Sequence, residues 1–230
     1  MELKSFVRKI GISENSLSKI KDAVLDAEKK TNGEIAVAVI GQSQAYSVFE
    51  LFWAFIVGLF VVFALTVFVE PIYAWLSTFS WTPSVRFIPI FFILIFTVVV
   101  AVLFFLFNTP TIDRLIIPKT VKNREVYYRA LRHFVESGVY KTKERSGILI
   151  FISVMERRVI VLADEGISSK IEQSEWNRIC DNLIAKIKAK QAEDGICEAV
   201  VSCSELLEEH FPAKAINPNE LTDGLVILNS

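Results

Sequence analysis

The chain has 230 residues, with 25 Lys and Arg against 26 Asp and Glu, a formal net charge of −1 and a pI near 6.2, so it has no global positive field to recruit nucleic acid. Hydrophobic residues make up 52% of it, including 18 Phe, and two segments alone raise that share above an ordinary globular mix. The first residues, Met1 to Gly11, are too polar for the apolar segment of a secretory signal.

In chain order, Ser13 is placed to cap a helix running to about Lys30, with Leu17, Ile20, Val24 and Ala27 recurring at three- and four-residue steps. Thr31-Asn32-Gly33 then ends it, because Gly and Asn tolerate the left-handed exit conformation. Glu34 to Ile40 is almost wholly apolar, the signature of a strand buried on both faces. One helix and one strand cannot build a core, and segments below about 40 residues seldom fold unaided, so this strand needs a partner elsewhere.

Next come two uninterrupted apolar runs, Leu51 to Val69 and Phe87 to Phe107, of 19 and 21 residues without a charge. At about 1.5 Å per residue, each is long enough to cross a hydrocarbon layer roughly 30 Å thick as a helix. The alternative is a pair of core helices, which can also be apolar on every face. Tyr73, Trp75 and Trp81 cluster in the spacer, where amphipathic rings favour headgroup level, and Pro89 stands near the start of the second run, where a missing backbone donor costs least. The spacer Glu70 to Arg86 is 17 residues long, so the spans form a hairpin that returns the chain to its starting side. Arg114, Lys119, Lys122, Arg124, Arg129 and Arg132 follow the second run, whereas the spacer has Arg86 alone. The positive-inside rule therefore puts both termini in the cytoplasm.

Beyond the hairpin, Asn108 to Pro118 reads as a short connector. Lys119 to Ser137 follows as a helix with Tyr127, Ala130, Leu131 and Phe134 on one side and Gly138 as its stop. Gly147 to Val154 and Arg158 to Ala163 are β-branched and aromatic runs joined by Met155-Glu156-Arg157 as a hairpin. Two amphipathic helices follow, one carrying Trp176, Ile179, Cys180, Leu183, Ile184 and Ile187, the other Ile196, Val200, Cys203, Leu207 and His210. Phe211-Pro212 closes the second, and Leu225 to Leu228 reads as a short extended tail. The three cysteines form no C-x-x-C pair and read as small hydrophobes. The simplest assembly is an α/β domain in which the strands share one sheet covered by helices. Residues 1–47 and 108–230 form that domain, and residues 48–107 are a membrane hairpin inserted within it.

The stretch from Val139 to Ser153, continuing Glu156 to Asp164, resembles the centre of the TPM domain. So do Thr31-Asn32-Gly33-Glu34-Ile35 ahead of the first strand, Ala192-Glu193-Asp194-Gly195-Ile196 at the start of the last helix, and Glu209-His210-Phe211-Pro212 at its end. The resemblance implies an α/β/α sandwich. It also implies that family members include weak acid phosphatases and proteins binding divalent cations such as calcium near the ends of the sheet. Many relatives are bacterial membrane proteins, which implies a bacterial inner membrane for the hairpin, and many have a glycine-rich turn after the third strand where this chain has Ala163-Asp164-Glu165-Gly166-Ile167.

Asp164 and Glu165 sit where a strand gives way to a loop, a usual place for functional groups in α/β folds, and Asp194 completes a candidate metal set if the next helix comes close. Calcium wants six to eight oxygen ligands. The alternative is a solvated turn at 164–166 and a carboxylate at a helix N-terminus for Asp194. A basic set, Lys119, Lys122, Arg124, Arg129 and Arg132 with Arg157 and Arg158 at the hairpin turn, is the candidate surface for anionic lipid or a protein partner. There is no G-x-S-x-G, no phosphate-cradling glycine loop and no clustered pair of histidines, since only His133 and His210 are present. Two functions follow. The first is a non-enzymatic accessory module held at the bilayer, binding a membrane or cytosolic protein partner or lipid, with or without a cation. The second is a weak metal-assisted phosphomonoester hydrolase using Asp164, Glu165 and Asp194.

Overall fold

The computed structural model describes residues 3–79, 84–142, 144–213, 221 and 224–229. Trp81, part of the expected interfacial cluster, lies outside them. The chain divides into two compact units, residues 1–45 with 119–230, and residues 46–118.

The first unit begins with α1 (Ser5–Lys9) and α2 (Glu14–Glu28). Ser13 caps α2 as its sequence predicts: its hydroxyl accepts the Ser16 N–H while the Ser16 hydroxyl accepts the Ser13 N–H, a reciprocal capping box. Strand β1 (Glu34–Ile40) and strand β2 (Gly147–Ser153) are buried at every residue and pair in parallel, Glu34 opposite Gly147 through Ile40 opposite Ser153. Strand β3 (Arg158–Ala163) runs antiparallel to β2, and β4 (Leu225–Ile227) runs parallel to β1, giving the order β3-β2-β1-β4. The strand before the hairpin thus lies in the middle of a sheet completed after it.

The two-residue period of a strand sends its side chains to alternate faces, and each face of this sheet is apolar. Ile35, Val37 and Val39 with Ile148, Ile150 and Ile152 meet α1, α2, α9 (Gln173–Lys188) and α10 (Ala192–His210). Ala36, Ala38 and Ile40 with Leu149 and Phe151 meet α7 (Lys119–Glu136). The result is the three-layered α/β/α sandwich the sequence implied. Ile35, Val37, Val39 and Ile40 are each at most 1% exposed. At about 1.5–3 kcal/mol for each such side chain, they supply up to roughly 6–12 kcal/mol of hydrophobic driving force, comparable with the whole net stability of a domain. The segment ahead of the hairpin is therefore a requirement of the fold.

Helix α7 departs from the sequence reading. Its buried side chains are Lys122, Val126, Ala130, His133 and Phe134, whereas Tyr127 and Leu131 are 45% and 38% exposed. Both Val126-Ala130-Phe134 and Tyr127-Leu131 satisfy helical spacing, so periodicity alone allows two inward faces. Small Ala130 permits close approach of the helix to the sheet, and that packing decides between them. Between α7 and β2 the chain turns at Gly138, whose φ is 79°, into one 3-10 turn over Val139–Lys141. Gly147 then starts β2 without a side chain because a Cβ there would lie 2.3 Å from the Val139 carbonyl oxygen.

The second unit holds α3 (Ser47–Thr66), α4 (Val69–Ser77), α5 (Phe87–Phe107) and α6 (Pro110–Ile116). The first apolar run does not form one helix to Val69. Pro71 has no N–H and its ring would clash with the carbonyl four residues back, so α3 ends ahead of it and Pro71 falls in the first turn of α4. The expected connector at Asn108–Pro118 is mostly α6, started by Pro110 and stopped before Pro118, with Ile117 extended at ψ 125°. Gly58 of α3 faces Phe96 and Val100 of α5, and Phe55 meets Phe96 edge to face at 5.2 Å, the small-residue contact by which apolar helices approach closely. Both α3 and α5 are long and apolar enough to cross a membrane, and only 17% and 0% of their apolar windows are buried. Phe60, Phe63 and Phe105 are 70–76% exposed. These are not core helices.

Candidate functional site

The parallel strands β1, β2 and β4 all end at the same edge of the sheet, the edge at which open α/β folds hold ligands. There the chain leaving β1, Gln42 to Ala45, faces Arg129, Arg132 and Glu136 of α7 and Asn229 beyond β4, enclosing a cleft of about 530 Å³. That is room for a small molecule or a side chain of a partner.

A buried polar network fixes one wall. The Ser43 N–H donates to Glu156 Oε1 at 2.9 Å, the Ser43 and Ser153 hydroxyls lie 2.9 Å apart, and the Ser153 hydroxyl donates to Glu156 Oε2. All three residues are at most 8% exposed. They bind the exit of β1 to the end of β2 and to the four-residue turn Val154–Arg157, where Arg157 takes the left-handed conformation at φ 53°. Met155 reinforces the tie by donating its N–H to the Gly41 carbonyl at 2.9 Å.

The opposite wall is cationic. Arg129 Nη1 lies 3.7 Å from Glu136 Oε2, too far for a hydrogen bond, and that nitrogen is buried with no hydrogen-bond partner among the described residues. A buried guanidinium nitrogen with an unmade bond is costly unless something accepts from it. With Arg132 beside it and Glu136 as the one carboxylate among the described lining residues, these side chains carry a net positive charge. One turn from Arg129, burial and then the Arg129 cation hold the His133 imidazole below its ordinary pKa of 6.5. The arrangement suits recognition of a carboxylate or phosphate oxygen, for which the planar guanidinium fork is shaped.

The predicted metal residues are not brought together. Asp164 caps the four-residue helix α8 (Glu165–Ser168), its Oδ1 accepting the Glu165 N–H at 2.7 Å. Glu165 is exposed and pairs with Arg145 at 2.6 Å. Because β3 is antiparallel, its end lies where the parallel strands begin: the Asp164 N–H donates to the Gly147 carbonyl. Helix α10 also ends there, the Asn32 N–H donating to the Phe211 carbonyl, whereas its first residue Ala192 bonds to the Ile10 carbonyl. Asp194, in the first turn of α10, stands roughly 24 Å of helix rise away from His210. Among the described residues no group of three or more His, Cys, Asp or Glu could hold a metal, so Asp164, Glu165 and Asp194 do not fit calcium's many-oxygen shell.

The predicted basic set is also divided. Lys122 is buried at 9% and belongs to the inner face of α7, so it is not a surface cation. Arg129 lines the cleft, Arg124 pairs with Glu125 at 3.0 Å on the outside, and Lys119, Arg132 and Arg157 are exposed while Arg158 is half-buried. His133 is buried on the inner face of α7 and His210 ends α10. The free cysteines behave as hydrophobes: burial pushes the Cys180 thiol up to about 11 and the fully buried Cys203 thiol higher still. Sequence reasoning missed Gln42, Ser43, Ser153, Glu156 and Asn229. The one available signal was the position of Ser43 and Ser153 just after or at the end of buried strands.

Residues 111–206 match the family model of the TPM domain. Among solved structures, the fold is similar to the NMR structure of the BA42 protein from the psychrophilic bacterium Bizionia argentinensis, with a TM-score of 0.55, 16% identity and 94% of each chain covered. No curated protein matches the sequence.

Proposed function

On the premise that this chain carries a TPM domain across residues 111–206, we propose that it is a membrane-anchored accessory protein. Its cleft at the strand ends binds a small anionic group, a carboxylate or a phosphate, displayed by a partner. The observation that carries this reading is the buried Arg129 Nη1, without a hydrogen-bond partner among the described residues, in a cleft bounded by Arg132, Ser43 and Asn229. The exposed apolar helices α3 and α5 support anchoring in a bilayer, and the basic residues that follow α5, set against the single Arg86 of the spacer, support a domain and termini in the cytoplasm of a bacterial cell. The rigid wall around Ser43, Ser153 and Glu156 supports a preorganised binding site, which reduces the entropy lost on association.

The test is titration calorimetry on the full-length protein in detergent micelles with inorganic phosphate and with succinate. A saturable signal with at least one of them, lost in Arg129→Gln and retained in Glu165→Gln, supports the reading. Absence of saturation with both, or binding indifferent to Arg129→Gln, refutes it.

A further inference from the structure

The outward side of α7 is apolar as well as the inward side. Arg124, Tyr127, Tyr128, Leu131, Arg132 and Val135 follow the i, i+3, i+4, i+7, i+8, i+11 spacing of one helical stripe. Tyr127, Tyr128, Leu131 and Val135 are 38–57% exposed. Single exposed apolar residues are ordinary, but four on one stripe form a patch that asks for a partner. Of the carboxylates of α7, Glu136 lies beside Arg129, and Glu125 pairs with Arg124 at the start of the stripe, leaving Arg132 as its unpaired guanidinium among the described residues. Just beyond the helix, Tyr140 is 41% exposed with the Lys141 ammonium 5.5 Å above its ring, continuing the pattern of rings and cations.

Rings and aliphatic groups flanked by the cations of Arg132 and Lys141 are the composition of a surface that lies on anionic lipid. Tyrosine favours headgroup level, and long basic side chains reach outward from buried stems. Helix α7 starts at Lys119, 12 residues beyond Phe107 at the end of α5. A surface tethered this closely to a spanning helix meets the leaflet at high effective concentration, so a weak intrinsic affinity suffices. We infer that the outward face of α7 docks on the anionic leaflet of the bilayer that α3 and α5 enter. The inference rests on the membrane-spanning reading of those helices and shares only Arg132 with the cleft.

The test uses the full chain with Cys180, Cys197 and Cys203 replaced by Ala. An environment-sensitive fluorophore is attached at Val135→Cys, with Asn177→Cys on α9 as the exposed control and Phe105→Cys on α5 as the reporter of insertion. The protein is reconstituted in vesicles of phosphatidylcholine with or without phosphatidylglycerol, and quenching by spin-labelled lipid is read. Quenching at position 135 that requires phosphatidylglycerol, is absent at 177, and weakens with salt supports the docking. Lys141→Gln then lowers the docked-to-free ratio about fivefold, the worth of one basic residue near an anionic leaflet, and Tyr128→Ser lowers it further. A water-exposed label at 135 beside a quenched label at 105 overturns the inference while leaving the spanning helices intact; no quenching at 105 overturns both. Shielding at 135 that ignores lipid charge but grows with the protein-to-lipid ratio overturns it in favour of pairing between copies of the chain.

Discussion

Phe134→Ala and Tyr128→Ala, both on α7, should have very different consequences. Phe134 is 7% exposed and packs in the cluster with Val126, Ala130, Leu149 and Phe151, whereas Tyr128 is 57% exposed. Truncating a buried Phe costs about 3–5 kcal/mol, from lost transfer energy and the cavity left behind; truncating an exposed side chain costs less than about 0.5 kcal/mol. A two-unit membrane chain does not unfold in one step, so the suitable assay is native-state hydrogen exchange of β1 and β2 amides in the reconstituted protein. The low end of the estimate, about 3 kcal/mol, corresponds to exchange roughly 150-fold faster in Phe134→Ala, with Tyr128→Ala within about threefold of the parent. If Tyr128→Ala accelerates exchange and Phe134→Ala does not, α7 packs by its other face. The cleft, whose wall is Arg129 and Arg132, would fail with it.

Domain stability should fall as pH drops through the ordinary histidine range near 6.5. The unfolded chain takes up a proton on His133 that the folded chain, with its depressed pKa, refuses; melting followed from pH 8 to pH 5 should show the slope, and His133→Gln should reduce it. Glu156→Ala should destabilise by about 2–5 kcal/mol, because it leaves the buried Ser43 N–H and Ser153 hydroxyl short of acceptors; hydrogen exchange in the 41–45 loop checks it. Gly147→Ala should prevent accumulation of folded protein, since the new Cβ meets a backbone carbonyl that cannot swing away; expression yield and protease resistance report it. At neutral pH, Cys180 should react with a thiol reagent at a rate reflecting about 100-fold less thiolate than an unperturbed cysteine of pKa 9.0, and denaturant should restore the ordinary rate.

The central strand shows how sheet membership crosses a long gap in sequence. Glu34 to Ile40 announces burial on both faces by having almost no polar residue, the pattern of a strand inside a sheet covered on both faces. The chain supplies a neighbouring strand from Gly147, which pairs with Glu34, 113 residues before it.

Local chemistry therefore determined much of this protein: the Ser13 cap, the stop at Gly138, the strands, the two long apolar helices and the α/β/α layering can be read from residue types and their period, because capping, backbone freedom and burial act over a few residues. Direction and facing could not be read this way. Asp164 and Glu165 stand at the end of a strand as expected, but β3 runs antiparallel, so that end lies away from Asp194 and from the exits of the parallel strands. Helix α7 offers two apolar stripes of legal spacing, and only contact with Leu149 and Phe151 chose Val126, Ala130 and Phe134 for the inside. That choice also put Arg129 beside Ser43 and Asn229. The cleft is made of residues far apart in sequence, so its existence depended on how whole elements pack.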